Sequence, residues 1–195
     1  MNLNAYSPQI VIGACAAILV VMILIAWGVS RQRGRRRTKE LRERFGPEYD
    51  AALARYGSRR RAEDALESRL HRVEHFEIRQ LNAVERARFS SEWDAIQARF
   101  VDHPRGAVTE ADELINGIMV ARGYPGGTFE QRSSDLSVHY PHLTDFYRQA
   151  NRVTSRAGNN EATTEELRAA MIHYRAIFEE LVQSKTVVMR RAEAA

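Results

Sequence analysis

Apolar side chains follow two rhythms along this chain. From Ile10 to Val29 they run without interruption by charge: 20 residues, all apolar except Gly13 and Gly28. Twenty helical residues rise about 30 Å, the thickness of a bilayer's hydrocarbon core, and a helix closes its own backbone hydrogen bonds there. The run predicts an N-terminal transmembrane helix within residues 1–30, with Tyr6 and Trp27 placed for the two interfaces. A cleaved signal peptide would carry a basic start and a shorter apolar stretch. Residues 1–9 contain neither Lys nor Arg, so the pattern reads as an uncleaved anchor.

From Thr38 onward the apolar positions take a helical period. Leu41, Phe45, Tyr49 and Leu53 recur every four residues around Gly46-Pro47, where the proline suits the first turn of a new helix. Ala62, Leu66, Leu70 and Val73 mark a helix over about 59–76 with a narrow apolar stripe and many charges. Together with the basic flank this predicts a helical stalk over 31–78.

Residues 79–183 carry broader faces and predict a small antiparallel helical bundle. Asn82 and Glu85 form a capping-box pair ahead of Phe89, Trp93, Ile96 and Phe100, and Pro104 ends that helix with Asp102 placed to cap the next. Ala107, Ala111, Leu114, Ile115, Ile118 and Met119 follow, up to a stop at Gly123 and Pro125. Thr128 opens a short helix carrying Phe129, Arg132 and Leu136, and Pro141 opens another with Leu143, Phe146, Tyr147, Ala150 and Val153. After Gly158-Asn159-Asn160, the pair Thr163 and Glu166 caps a last helix bearing Leu167, Met171, Tyr174, Phe178 and Leu181. The expected bundle core is Phe89, Trp93, Ile96, Phe100, Leu114, Ile118, Phe146, Leu167, Met171, Tyr174, Phe178 and Leu181. Residues 184–195, with Val187-Val188, read as a flexible tail. No alternating strand pattern occurs, so the expected fold class is all-α.

Charge is distributed unevenly. The formal net charge is +4, but Arg31, Arg33, Arg35, Arg36 and Arg37 sit together just after the apolar run with no acid among them. Taking those five from 29 bases leaves 24 against 25 acids over residues 38–195. The excess belongs to the membrane flank, and the basic face that nucleic-acid binding requires is missing. With no base before the span and five after it, the positive-inside rule places the N-terminus outside and the C-terminal domain in the cytoplasm. Cys15 is the only cysteine, which excludes an intrachain disulfide. Gly13 and Ala17 have the small-xxx-small spacing of helix contacts in membranes.

Few residues carry chemistry. His71-Arg72-Val73-Glu74-His75 has the H-x-x-E-H order of an inverted zinc-peptidase motif. At about 100° per residue, His71 and His75 fall roughly 140° and 180° from Leu66. They thus face away from the apolar stripe, where no cleft can shelter a metal. His139 and His142 flank Tyr140-Pro141 near Asp135 and Asp145, a helix entry that could hold a metal only weakly. No glycine-rich phosphate loop, nucleophile elbow or zinc-finger spacing occurs. Catalytic residues, metal ligands and cofactors are therefore not assigned. The aromatic set around Trp93 and Tyr174 serves as core or, in the alternative reading, lines a small-molecule pocket.

The segments 44–50 (RFGPEYD), 98–104 (ARFVDHP), 121–125 (ARGYP), 129–141 (FEQRSSDLSVHYP) and 169–181 (AAMIHYRAIFEEL) resemble an uncharacterised bacterial family of single-span membrane proteins with a helical C-terminal domain. The similarity covers about 39–183. It implies the anchored helical architecture and no activity or site residues. That family commonly has Asp-His before the proline where this chain has His139-Tyr140, so it assigns His139 no shared role. The expected function is a membrane-tethered, non-enzymatic interaction module of the inner membrane. Its partners would be the lipid bilayer and a cytoplasmic protein or a second copy of itself. The alternative is a small-ligand-sensing bundle.

Overall fold

The computed structural model describes residues 8–183, with the side chains of 8–17 and 20 outside the description. Over the described residues the chain is all-α, in eight helices: α1 (Pro8–Phe45), α2 (Pro47–Tyr56), α3 (Arg59–Val73), α4 (Ala83–Phe100), α5 (Pro104–Ala121), α6 (Phe129–His139), α7 (Pro141–Gly158) and α8 (Thr164–Gln183). The chain divides between Glu43 and Arg44 into two compact units.

The first unit is carried by α1. Every large apolar side chain described from Ile18 to Val29 is exposed, from 41% at Val29 to 63% at Met22. Among the described residues no helix is long and apolar enough to cross a membrane. Much of the expected span, residues 10–17 and 20, lies outside the described side chains, as do Tyr6, Gly13, Cys15, Ala17 and the tail 184–195. Arg31, Arg33, Arg35 and Arg36 are exposed along α1, and Arg37 is half-buried. The Arg31 guanidinium lies 5.3 Å from the Trp27 ring.

The second unit begins earlier than the sequence suggests. Residues 44–78, expected in a stalk, belong to the same unit as the bundle, because α2 packs on α3 and α7 and α3 packs on α6. The narrow apolar stripe is only part of what they bury. Tyr49, Ala52, Ala62, Leu66 and Val73 are covered together with Glu48, Glu63 and Arg69. Paired charges thus widen an interface that apolar counting alone leaves thin. Tyr49 donates to Glu63 Oε1 at 3.0 Å across α2 and α3.

Helix ends follow local chemistry. Gly46 takes φ +48° before Pro47, and Gly57 closes α2 in the left-handed region. Full capping boxes open α4 (Asn82 with Glu85) and α6 (Thr128 with Gln131). Thr163 and Glu166 exchange the same pair of bonds at α8. The cap of α5 is His103, without a side-chain bond, and not Asp102; Pro104 already supplies the first-turn geometry.

α4, α5, α7 and α8 enclose the main core. Of the expected core residues, Phe89, Trp93, Ile96, Leu114, Ile118, Leu167, Met171, Tyr174, Phe178 and Leu181 are buried, and Phe100 is half-buried against them. Phe146 is a correction: it is 39% exposed, its ring 4.9 Å from that of His173, while its neighbour Tyr147 is fully buried. On α7 both positions satisfy the period. Tyr147 wins the interior because its hydroxyl finds polar partners there.

Gly123 is required by the backbone. It has φ +95°, and a Cβ built on it would stand 2.3 Å from the Glu77 carbonyl oxygen. The loop before α4 lies directly against it, with Arg79 N donating to Arg122 O at 2.9 Å.

Candidate functional site

The residues that sequence reasoning marked as chemically suggestive are kept apart by the fold. His71 and His75 are both exposed. His71 Nδ1 is 3.3 Å from Glu74 Oε2, and His75 Nδ1 donates to the His71 carbonyl at 2.7 Å. His142 is exposed and His139 half-buried, with its Nδ1 sharing a 2.8 Å hydrogen bond with the Tyr124 hydroxyl. Asp135 turns to Arg72 at 3.0 Å, and Asp145 accepts from Gln149 at 2.6 Å. Among the described residues no group of three or more His, Cys, Asp or Glu is placed to hold a metal. Burial, with the charges of Arg44 and Arg122, lowers the His139 pKa to about 4, so the imidazole is neutral near neutral pH.

The set closest to an active-site arrangement lies inside the bundle. Arg132 donates from Nε to the Tyr147 hydroxyl (2.9 Å) and from Nη2 to Asp112 Oδ2 (3.2 Å). Tyr174 donates to Asp112 Oδ1 at 3.2 Å, and its oxygen is 2.9 Å from Thr154 Oγ1. Burial raises the Asp112 carboxyl against the pull of the Arg132 charge. Burial also raises both tyrosines, and the Asp112 charge adds to it. The hydroxyls therefore remain donors, and each polar atom spends its bonds on the others. This cluster ties α5, α6, α7 and α8 together.

Trp93, the other half of the expected pocket, is stacked on Phe178 with ring centroids 4.9 Å apart and planes at 14°. The surface clefts described below are lined by neither Trp93 nor Tyr174.

A second buried ionic cluster joins α2, α3 and α7. Arg148 grips Glu48 with both terminal nitrogens at 2.7 Å, and Arg69 Nη1 reaches Glu48 Oε1 at 2.7 Å and Ser137 Oγ at 3.2 Å. Burial by itself would raise the Glu48 carboxyl, but the hydrogen bonds and charges of Arg148 and Arg69 outweigh it and hold the pKa below its ordinary value. Asp135 shows the reverse balance, raised by burial despite Arg72. These groups were missed in the sequence, although a signal was present. Arg69 continues the stripe Ala62, Leu66, Val73 in helical register, and Asp112 does so among Val108, Ile115 and Met119.

A cleft with a volume of about 570 Å³ runs between α4 and α5. Phe89, Ala95 and Ile96 of α4 and Leu114 and Gly117 of α5 supply its apolar lining. At Gly117 an added Cβ would meet only Phe89, at 3.9 Å, so the glycine leaves the cleft open there. Arg88, Glu92 and Arg99 stand along α4, and Glu110 and Glu113 along α5. Arg99 pairs with Glu110 across one end. Beyond the other end, exposed Val84 and Val120 continue the two lining faces at helical spacing.

No family model, curated protein or solved structure matches the chain.

Proposed function

We propose that the chain is a membrane-tethered helical interaction module whose cleft between α4 and α5 receives an amphipathic helix of a partner protein. The observation that carries this reading is the cleft itself. Two packed helices present an open apolar furrow with Gly117 in its lining; Arg88, Glu92 and Arg99 stand along the α4 wall and Glu110 and Glu113 along the α5 wall, Arg88 paired with Glu92 and Arg99 with Glu110. With Glu92, Glu110 and Glu113 against Arg88 and Arg99 along its rims, such a furrow is complementary to a helix with an apolar stripe flanked by basic residues.

The tether rests on the sequence. An uncharged run of 20 residues is followed closely by five arginines, and the large apolar side chains described between Ile18 and Val29 project outward with nothing polar among them to favour water. On this reading the module is single-pass in a bacterial inner membrane, N-terminus outside and helical unit in the cytoplasm. The resemblance to single-span bacterial proteins accords with it.

Photo-crosslinking in native membranes tests the assignment, with the reactive residue placed at Ala95 or Gly117 and, for comparison, at exposed Ile172. The two cleft positions should give one shared adduct of discrete mass, lost when Gly117→Arg blocks the furrow in the Ala95-labelled chain. Identical adduct patterns from the cleft and from Ile172 would exclude a dedicated docking cleft. Recovery of the chain in an alkaline-carbonate supernatant would exclude the tether.

A further inference from the structure

A smaller cavity lies between α2, α6 and α7, remote in sequence from the α4–α5 cleft and independent of it. Its volume is about 220 Å³, and Arg55, Arg148 and Arg152 line it together with Ser133 and Ser134. A neighbouring hollow of about 160 Å³ shares Arg55 and Arg148. The three arginines have different obligations. Arg148 is spent on buried Glu48. Arg55 and Arg152 are exposed, and neither has an ion-pair partner among the described residues. The one carboxylate on the wall, Glu130, is exposed on α6, so the wall keeps a positive excess.

Ser133 supplies the second observation. It is 2% exposed, and its Oγ is buried with no hydrogen-bond partner. A buried hydroxyl without a partner is costly, so such a group in a native protein calls for an explanation. Phe129 and Glu130, also on the wall, are the first two residues of α6, and the positive end of that helix dipole adds to the attraction for an anion.

We infer that this cavity is a binding site for the phosphoryl group of a small phosphorylated molecule, held by Arg55 and Arg152 from two sides and by the Ser133 hydroxyl from a third. Guanidinium forks match phosphoryl oxygens in pairs. Donors arriving from α2, α6 and α7 suit a tetrahedral group with three free oxygens better than a planar carboxylate. The volume admits a phosphoryl group and a few further atoms. The same group could be presented by a soluble phosphomonoester or by a lipid with a monoester headgroup.

Isothermal titration of the full-length protein in phosphatidylcholine nanodiscs with inorganic phosphate, at constant ionic strength, tests the site. Saturable binding is expected. Arg55→Ser and Arg152→Ser, both at exposed unpaired positions, should each weaken it by about ten- to a hundred-fold, and Ser133→Ala by less. The melting temperature of the two arginine variants should stay unchanged without phosphate. Nanodiscs containing phosphatidic acid identify the source: competition with phosphate means a lipid headgroup, and unaltered phosphate affinity means a soluble ligand. Heat that follows ionic strength alone, or phosphate binding that survives Arg55→Ser with Arg152→Ser, would overturn the site. The α4–α5 crosslinks do not pass through this cavity, so either result leaves the other standing.

Discussion

Arg148 holds both carboxylate oxygens of Glu48 at 2.7 Å although 100 residues separate them. The pair, joined by Arg69, fastens the first two helices after the division of the chain to the bundle. Breaking such a buried arrangement from one side leaves cations without their counter-charge. Glu48→Gln should therefore lower stability by about 3–5 kcal/mol in urea unfolding. Replacing all three partners with apolar residues (Glu48→Leu, Arg69→Met, Arg148→Met) should recover most of that loss. Equal losses in the two variants would mean that the pairing itself, and not the uncompensated charge, sets the cost.

Gly123→Ala should destabilise the fold by about 1–3 kcal/mol. Its φ of +95° and the Glu77 carbonyl beside it both oppose a side chain. The loss should show first as faster amide exchange in residues 74–82. An unchanged melting temperature would mean that this loop does not rest on the glycine.

His139 makes stability depend on pH in a definite direction. Its ordinary value of 6.5 falls to about 4 in the folded state, so the unfolded chain binds the proton more readily. The contribution is present in full above about pH 6.5 and is lost as the pH falls toward about 4, on the order of 2 kcal/mol between neutral pH and pH 4.5. Glu48 and other carboxylates titrate in part of the same window, so the readout is a difference. His139→Gln, which can still accept from Tyr124, should flatten the slope between pH 6.5 and 5, where carboxylates change little. Parallel curves for the two proteins would show that His139 is not held neutral.

Trp93→Ala should cost about 3–5 kcal/mol, because it removes the ring stacked on Phe178 and leaves a cavity. Phe146→Ala should cost less than about 1 kcal/mol, since that ring stands at the surface beside His173. Chemical denaturation of the two variants checks the contrast. Equal costs would place Phe146 back in the core.

Local signals carry far in this protein. Prolines 47, 104 and 141, the capping pairs at Asn82 and Thr163, Thr128 ahead of α6 and the period of the apolar faces mark where helices start and which side turns inward. Each depends on contacts within one or two turns, and the linear order of residues already contains those. The uncharged run and the arginines behind it are legible for the same reason: span length and charge asymmetry are properties of the chain itself.

Tertiary structure decided what depends on distant partners. Between Phe146 and Tyr147 the helical period is indifferent, and Arg132 and Asp112 on other helices settle it by satisfying the Tyr147 hydroxyl. Glu48, Arg69 and Asp135 look like surface charges until their counterparts arrive from up to 100 residues away. Burying an ion is tolerable only once its partner is in place, so a register position such as that of Arg69 hints at burial, but no window along the sequence names the partner. The cavities belong to the same class, because a hollow is defined by the walls of several helices at once. The sequence prescribed the helices and their inward faces; packing alone determined which charges are inside and where the surface stays open.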